Sequence, residues 1–315
     1  TGLPPLPTID LAVNYRDGFT TGRFANGTTA GTAIADLAVT GSGSAGAVLE
    51  LIAAGGLTLD GTVLKLAATL DADAMPYNGF TVRATSPEGL ASATASDEYY
   101  VDGAAPVFAC DWNGSNGATT ATDDAKGATP TFTGCVLSTS SPIEGTASLL
   151  MNAGGSRVTW PDSDDWWLQG MFTILCKANI STLANPAVLM AHWNSGANQR
   201  AWQLLISALG EVQFQSTPNG QSGSIVTIGS GAGAYTAGAT REFMVTRDAH
   251  NVVRVFLDGT MVAKGTVTGA IRNSTAGLTI GNTANGAVAA TGKIDHTKVW
   301  KGWPFCATDS GYTVT

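Results

Sequence analysis

Cleavage of a glycosidic bond needs two carboxyl groups flanking it, one to give a proton and one to attack or to activate water. After residue 105 the chain offers only three glutamates, Glu144, Glu211 and Glu242, far apart in sequence. Glu211 opens EVQFQ, whose neighbouring polar residues are neutral amides. A retaining pair on one strand is therefore not expected, and a pair assembled from loops, such as Asp162 or Asp164 with another acid, is left open. The DSDD run, Asp162 to Asp165, reads as a solvated turn with cap-like hydrogen bonds, because short acidic side chains bond their own backbone in turns. His192, His250 and His296 are scattered, with no nearby nucleophile arranged as a triad.

Aromatic and amide side chains suit a different chemistry, the stacking and hydrogen bonding of sugars. Trp166, Trp167, Trp193, Trp202, Trp300 and Trp303 are candidates for stacking, and the HWNSGANQR loop supplies Asn194, Asn198, Gln199 and Arg200. Trp193 at a strand end and Trp303 are expected to be exposed, and Trp202, on the alternating AWQLLIS, to be core. The four cysteines, Cys110, Cys135, Cys176 and Cys306, show no metal-binding spacing. Cys176 shares a strand face with Phe172 and Ile174 and reads as a buried free thiol. Cys110 and Cys306, near the two ends of the second domain, would pair if their end strands were neighbours. No cofactor is implied.

The elements that must hold these residues are strands. Of 315 residues, 44% are hydrophobic, 13% charged and 39 are Gly, a composition of many short strands joined by turns. The tetrapeptide LDGT occurs at Leu57-flanked Leu59 to Thr62 and again at Leu257 to Thr260, each between apolar runs, and predicts two hairpins with Asp-Gly type I′ turns. Residues 1–104 carry 4 Lys and Arg against 11 Asp and Glu, and the remainder 12 against 13. All eight Trp and all four Cys lie in the second part, so a domain boundary is expected near VDGAAP. Neither part has the basic stripe that nucleic acid requires. No apolar run approaches the roughly 18 residues of a membrane helix, so no membrane partner is expected.

Three parts follow: a Pro-rich arm at 1–7, a small β-sandwich at 8–104 and a larger one at 105–315. In the first sandwich NGTTAGTAIADLAV and LTLDGTVLKLAATLDADAMPYNGFTVRATSPEGL resemble the cadherin-type, Ig-like module over most of residues 8–102. That resemblance implies calcium at acidic motifs. Asp73 stands where Glu is usual and Ser86 where Asp is usual, which leaves Asp71, Asp73 and Glu88 against the six to eight oxygens a calcium ion takes. A metal-free sandwich is expected.

In the second sandwich SPIEGTASLLM, PDSDDWWLQGMFTILCKANI, AWQLLISALGEVQFQS, REFMVTRDAHNVVRVFLDGTMVA, LTIGNTANG and GKIDHTKVWKG follow the order of the laminin-G or concanavalin A-like lectin/glucanase superfamily. The resemblance spans nearly all of residues 106–303 and implies a jelly roll of two antiparallel sheets. That fold hosts lectins, hydrolases and adhesion modules alike.

The expected fold class is thus all-β, an Ig/cadherin-like sandwich followed by a concanavalin A-like jelly roll. STSSPIEGTASL and PDSDDW before FTI also resemble tailed-phage structural proteins. The resemblance implies a non-enzymatic virion surface protein, a capsid decoration, head fibre or tail-associated adhesin for host glycans. Its first domain or arm would hold other virion proteins, and a homo-oligomer is expected. TGLPPLPT lacks the charged and apolar regions of a signal peptide, which fits synthesis in a host cytoplasm. A bacterial cell-surface adhesin or carbohydrate-binding fragment cut from a longer secreted chain is the alternative, and a glycan-cleaving enzyme stands behind both.

Overall fold

A computed structural model describes residues 5–16, 23–72, 74, 77–152 and 154–312. Strands dominate, because alternation of apolar and polar residues gives each strand one face to bury. The chain divides into two units, Thr1–Ala104 and Ala105–Thr315. Among the described residues no helix is long and apolar enough to cross a membrane.

The first unit holds β1 (Asp10–Tyr15), β2 (Arg23–Ala25), β3 (Ala33–Thr40), β4 (Val48–Ala53), β5 (Leu57–Asp60), β6 (Val63–Leu66), β7 (Tyr77–Thr85) and β8 (Ser92–Asp102). They form two four-stranded sheets, β1-β3-β6-β5 and β2-β8-β7-β4. Phe24, Ile34, Leu64, Val82 and Tyr99 fill the core. Of the calcium candidates, Asp73 lies outside the described residues. Asp71 lies beside Asn26, whose Oδ1 accepts from the Ala72 amide, next to the Asp102 end of β8. Glu88 sits in the turn before Ser92, at the other end of β8. Eleven residues of extended strand, about 33 Å, separate the two carboxylates, so they share no coordination sphere. Ser86 is buried, and its hydroxyl accepts from the Leu90 and Ala91 amides, which closes that turn.

The second unit holds β9 (Phe108–Cys110), β10 (Thr131–Thr133), β11 (Cys135–Ser138), β12 (Ser148–Met151), β13 (Arg157–Thr159), β14 (Phe172–Ile180), β15 (Ala187–Asn194), β16 (Gln199–Ile206), β17 (Val212–Ser216), β18 (Val226–Gly229), β19 (Thr240–Arg247), β20 (Val252–Leu257), β21 (Thr260–Thr266), β22 (Thr279–Ile280) and β23 (Gly292–Lys301). A seven-stranded sheet, β10-β13-β22-β15-β16-β17-β18, and an eight-stranded sheet, β11-β12-β23-β14-β19-β20-β21, enclose one core that includes Trp112, Trp160, Trp202, Phe172 and Phe214. This is the concanavalin A-like jelly roll. TFTGCVL, which reads as one strand, is divided between the sheets at Gly134, whose φ of 62° makes the corner.

The two LDGT copies turn differently. In the second, Leu257 pairs with Thr260, and Asp258 and Gly259, with φ of 48° and 77°, form the expected type I′ turn. In the first, Asp60 pairs with Val63, so Gly61 and Thr62 form the loop and only Gly61, at 61°, is left-handed. That arrangement is the type II′ pattern, one residue out of the expected register.

All four cysteines are buried and free, so the Cys110–Cys306 pairing is not made. Cys110 belongs to the core between the sheets, whereas Cys306 lies with Met244 and Phe256 on the outer face of the eight-stranded sheet. The sheet itself separates them. Burial pushes the Cys110 thiol up to about 12, and the Cys176 thiol up as well, as a core position requires. Four thiols per chain are therefore expected to react with Ellman's reagent in denaturant without reductant. A value of two would mean a disulfide.

Candidate functional site

The structure gathers carboxylates that the sequence leaves apart. β23 has two neighbours on one edge, β12 along Gly292 to Ile294 and β9 along Thr297 to Val299. Between them the backbone bulges against Cys176, and His296 takes a φ of 46°. Asp295 fills the gap, accepting from the Ser148 hydroxyl at 2.7 Å and the amides of Glu144 and His296 at 3.1 and 2.8 Å. Desolvation, partly offset by these donors, raises its pKa to about 6. His296 Nδ1 lies 3.0 Å from Asp111 and 3.1 Å from Glu144. Lys177 bonds Glu144 and lies 3.7 Å from Glu242, which also accepts from the Tyr312 hydroxyl at 2.7 Å. Glu144 and Glu242 are thus clamped by one ammonium. Glu211 sits on the other sheet as the last acceptor of an amide chain, Gln203 to Gln215 to Gln213 to Glu211. None of the three glutamates stands ready as an unpaired acid opposite another.

A second cluster forms where loops leave the seven-stranded sheet. The DSDD turn becomes a short 3-10 turn, Asp164–Trp166, capped by the Ser163 hydroxyl on the Asp165 amide, as its composition implies. The Trp166 carbonyl then receives Trp202 Nε1 at 2.8 Å, and His192 Nδ1 lies 3.2 Å from it. Those two residues open and close the segment that carries the HWNSGANQR loop. Trp167 Nε1 donates to the Ile271 carbonyl, and Asn273 donates to Asp164, so the turn also fixes residues 271–273.

Arg200 and Arg272 brace the loops against one another. Arg200 donates to Asn198 Oδ1 and to the carbonyls of Gly220 and Ser195. Arg272 donates to Gln199 Oε1 and to the Asn219 carbonyl. A Cβ on Gly220 would meet the Asn198 carbonyl at 2.1 Å, so only glycine, with φ of 83°, permits this approach. Asn194 caps the next turn at Gly196, and Asn285 Nδ2 reaches the Ser195 hydroxyl. Four loop segments, 194–200, 217–224, 271–275 and 282–287, are tied by amides, guanidinium groups and hydroxyls.

Asn194, Asn198 and Arg200 therefore share one surface. Trp193 joins them from beneath: it is 4% exposed, packed with Val188, Ala191 and Leu205 under Ile225 and Val288. Its expected exposure is corrected, because the loops carrying Ile225 and Val288 fold over the outer face of the sheet. Trp303 is also buried, at 5%, against Trp300 and Phe305, and its carbonyl accepts from Thr173 of the eight-stranded sheet. It is in the wrong sheet to join the Trp193 loop. Trp202 is core, as its alternation predicts. Gln199, expected with them, joins the same surface, and the parts that sequence reading missed are Asn219, Arg272, Asn273 and Asn285. Their only sequence signal is polar residues in loops between strands.

Residues 152–303 match the Laminin_G_3 family model, described as "Concanavalin A-like lectin/glucanases superfamily". No curated protein matches the chain in sequence. Among solved structures the chain is similar to the botulinum neurotoxin type G receptor binding domain, at 13% identity and TM-score 0.47, covering 66% of this chain and 50% of that one. It is similar to the binding domain of Paraclostridial Mosquitocidal Protein 1, at 12% and 0.48, covering 64% and 49%. For the Ruminococcus gnavus IT-sialidase CBM40, bound to α2,3-sialyllactose, the values are 16% and 0.38, covering 44% and 80%. The chain spans about half the length of the toxin domains it matches. Identities this low describe chain path and say nothing of ligand.

Two outcomes follow from these contacts. Asp295→Ala leaves one buried and two partly buried donors without their acceptor and is expected to cost about 3 kcal/mol of stability, read from urea unfolding. His192 is fully buried, and desolvation holds its pKa below the usual value despite Asp162 at 3.4 Å. The unfolded chain then binds the extra proton, so this stabilisation is full above about pH 6.5 and is lost as pH falls toward the folded value. His296, also lowered by burial, acts in the same direction, and Asp295, protonated near pH 6, opposes both. The diagnostic comparison is His192→Gln, which should lose less stability between pH 8 and 5.5 than the native chain.

Proposed function

We propose that the chain is a non-enzymatic glycan-binding surface protein, with the jelly roll as the binding unit. The observation that carries this reading is the set of four cross-braced loops around Arg200 and Arg272. Sugars are recognised by fixed amide, guanidinium and hydroxyl groups matched to their own hydroxyls, and affinity improves when those groups are ordered beforehand. Here the guanidinium groups are held by neutral oxygens, and carbonyls and glycine fix the loop backbones. The glutamates that hydrolysis would require are engaged by Lys177, His296 and the amide chain instead.

The finer reading places the protein on the surface of a tailed-phage virion, with the first unit joining other virion proteins. Its support is the resemblance carried by STSSPIEGTASL and PDSDDW. Immunogold labelling with antibody to the full chain should mark particle heads or tails. Label on bacterial cell walls with bare particles would move the protein to the cell surface as an adhesin.

The full chain is expected to bind a subset of bacterial-envelope glycans on an array and to release no reducing ends from them. Arg272→Gln should weaken that binding at least about tenfold, about 1.4 kcal/mol, with little change in melting temperature. Unchanged binding by Arg272→Gln would remove the loop end from the site.

A further inference from the structure

The outer face of the eight-stranded sheet carries a groove of about 530 Å³, within the range of small-ligand sites and built on the sheet opposite the loop cluster. Its floor is one row of side chains in register across four strands: Leu150, Lys293, Asn179 and Thr240. Its wall is the loop around Ser141 and Pro142. That loop is pinned at its base, where the Ile143 amide donates to Ser148 and the Glu144 amide to Asp295. Ser141 holds a left-handed φ of 49°, a conformation that costs a non-glycine residue energy and often marks a functional site. At the floor, a Cβ on Gly292 would meet the Asn179 carbonyl at 2.1 Å, so the strands approach closely there.

The polar groups have a definite remaining capacity. An ammonium has three donors, and Lys293 directs two to the carbonyls of Ser140 and Ser141. No carboxylate pairs with Lys293 among the described residues, and none lines the groove. Asn179 spends both amide hydrogens on the Gly238 carbonyl and the Thr240 hydroxyl, which leaves its Oδ1 as an acceptor. One cationic donor, one fixed amide acceptor and the apolar surfaces of Pro142 and Leu150 thus line a single groove.

We propose that this groove is a sugar site separate from the loop end, and that it takes a carboxylate-bearing sugar. The sugar carboxylate bonds the third donor of Lys293, a ring hydroxyl donates to Asn179 Oδ1, and the C–H face of the ring rests on Pro142 and Leu150. A neutral sugar keeps the last two contacts and loses the charge-assisted one. The two sites lie on different sheets, so either can fail without the other.

The test uses the full chain and isothermal titration with glucuronate, galacturonate and N-acetylneuraminate, each beside glucose and galactose as neutral probes. At least one acid is expected to bind at least tenfold more tightly than the neutral sugars. Lys293→Gln should abolish that preference, Lys293→Arg should retain it, and Arg272→Gln, which touches only the loop end, should leave it unchanged. Melting temperatures of the variants separate lost binding from lost folding, and Lys293→Arg keeps the charge requirement testable if Lys293→Gln does not fold. Failure of every acid to bind, equal binding of neutral sugars, or a preference that survives in folded Lys293→Gln would overturn the proposal. Loss of array binding in Arg272→Gln alone concerns the loop end and leaves this result standing.

Discussion

The Trp166 carbonyl is the fixed point on which the candidate site depends. It is buried, and it meets His192 Nδ1 at one end of the long polar loop and Trp202 Nε1 at the other. An unsatisfied buried carbonyl would cost about 1–3 kcal/mol, so the loop ends are held by a group that needs them. Because Trp167 and Asp164 belong to the same turn and reach Ile271 and Asn273, one short segment sets the spacing of two loops. Arg200 and Arg272 then carry that spacing across to the Gly220 turn. Apart from the Asn273 bond to Asp164, local ordering here is set by hydrogen bonds to neutral groups, which persist with salt better than ion pairs do.

The opposite sheet is organised by a different constraint, a strand that must pair with two partners along one edge. β12 and β9 share β23, and the bulge between them frees amides that Asp295 collects. The carboxylate at that gap draws the 139–144 loop down onto the sheet, which in turn walls the groove above Lys293. The same gap brings Asp111, Glu144 and His296 together. Their proximity follows from closing the sheet, and Lys177 and Lys298 balance the charge.

Much of the architecture was legible in the sequence because strand alternation is a local property. MFTILCKANI, AWQLLIS and REFMVTR read directly as β14, β16 and β19. What was not legible depends on partners far along the chain. β2 is three residues long and exists because β8 offers a parallel edge. TFTGCVL divides at Gly134 because the two sheets must be joined at a corner. Trp193 and Trp303 read as exposed because they sit at strand ends, yet Ile225, Val288, Trp300 and Phe305 cover them from other segments. Asn194, Asn198 and Arg200 could be grouped because they share one loop. Arg272 and Asn285, more than 70 residues away, join them only in the folded chain, Arg272 on the segment held by the turn at Trp166 and Asn285 through its bond to Ser195.

The central claim is that ligand lands on this gathered loop end. Hydrogen–deuterium exchange of the full chain, with and without saturating bacterial-envelope polysaccharide, tests it most directly. Added protection is predicted in residues 194–200, 217–224, 271–275 and 282–287. Protection confined to the first unit, or no added protection in those loops, would contradict the account.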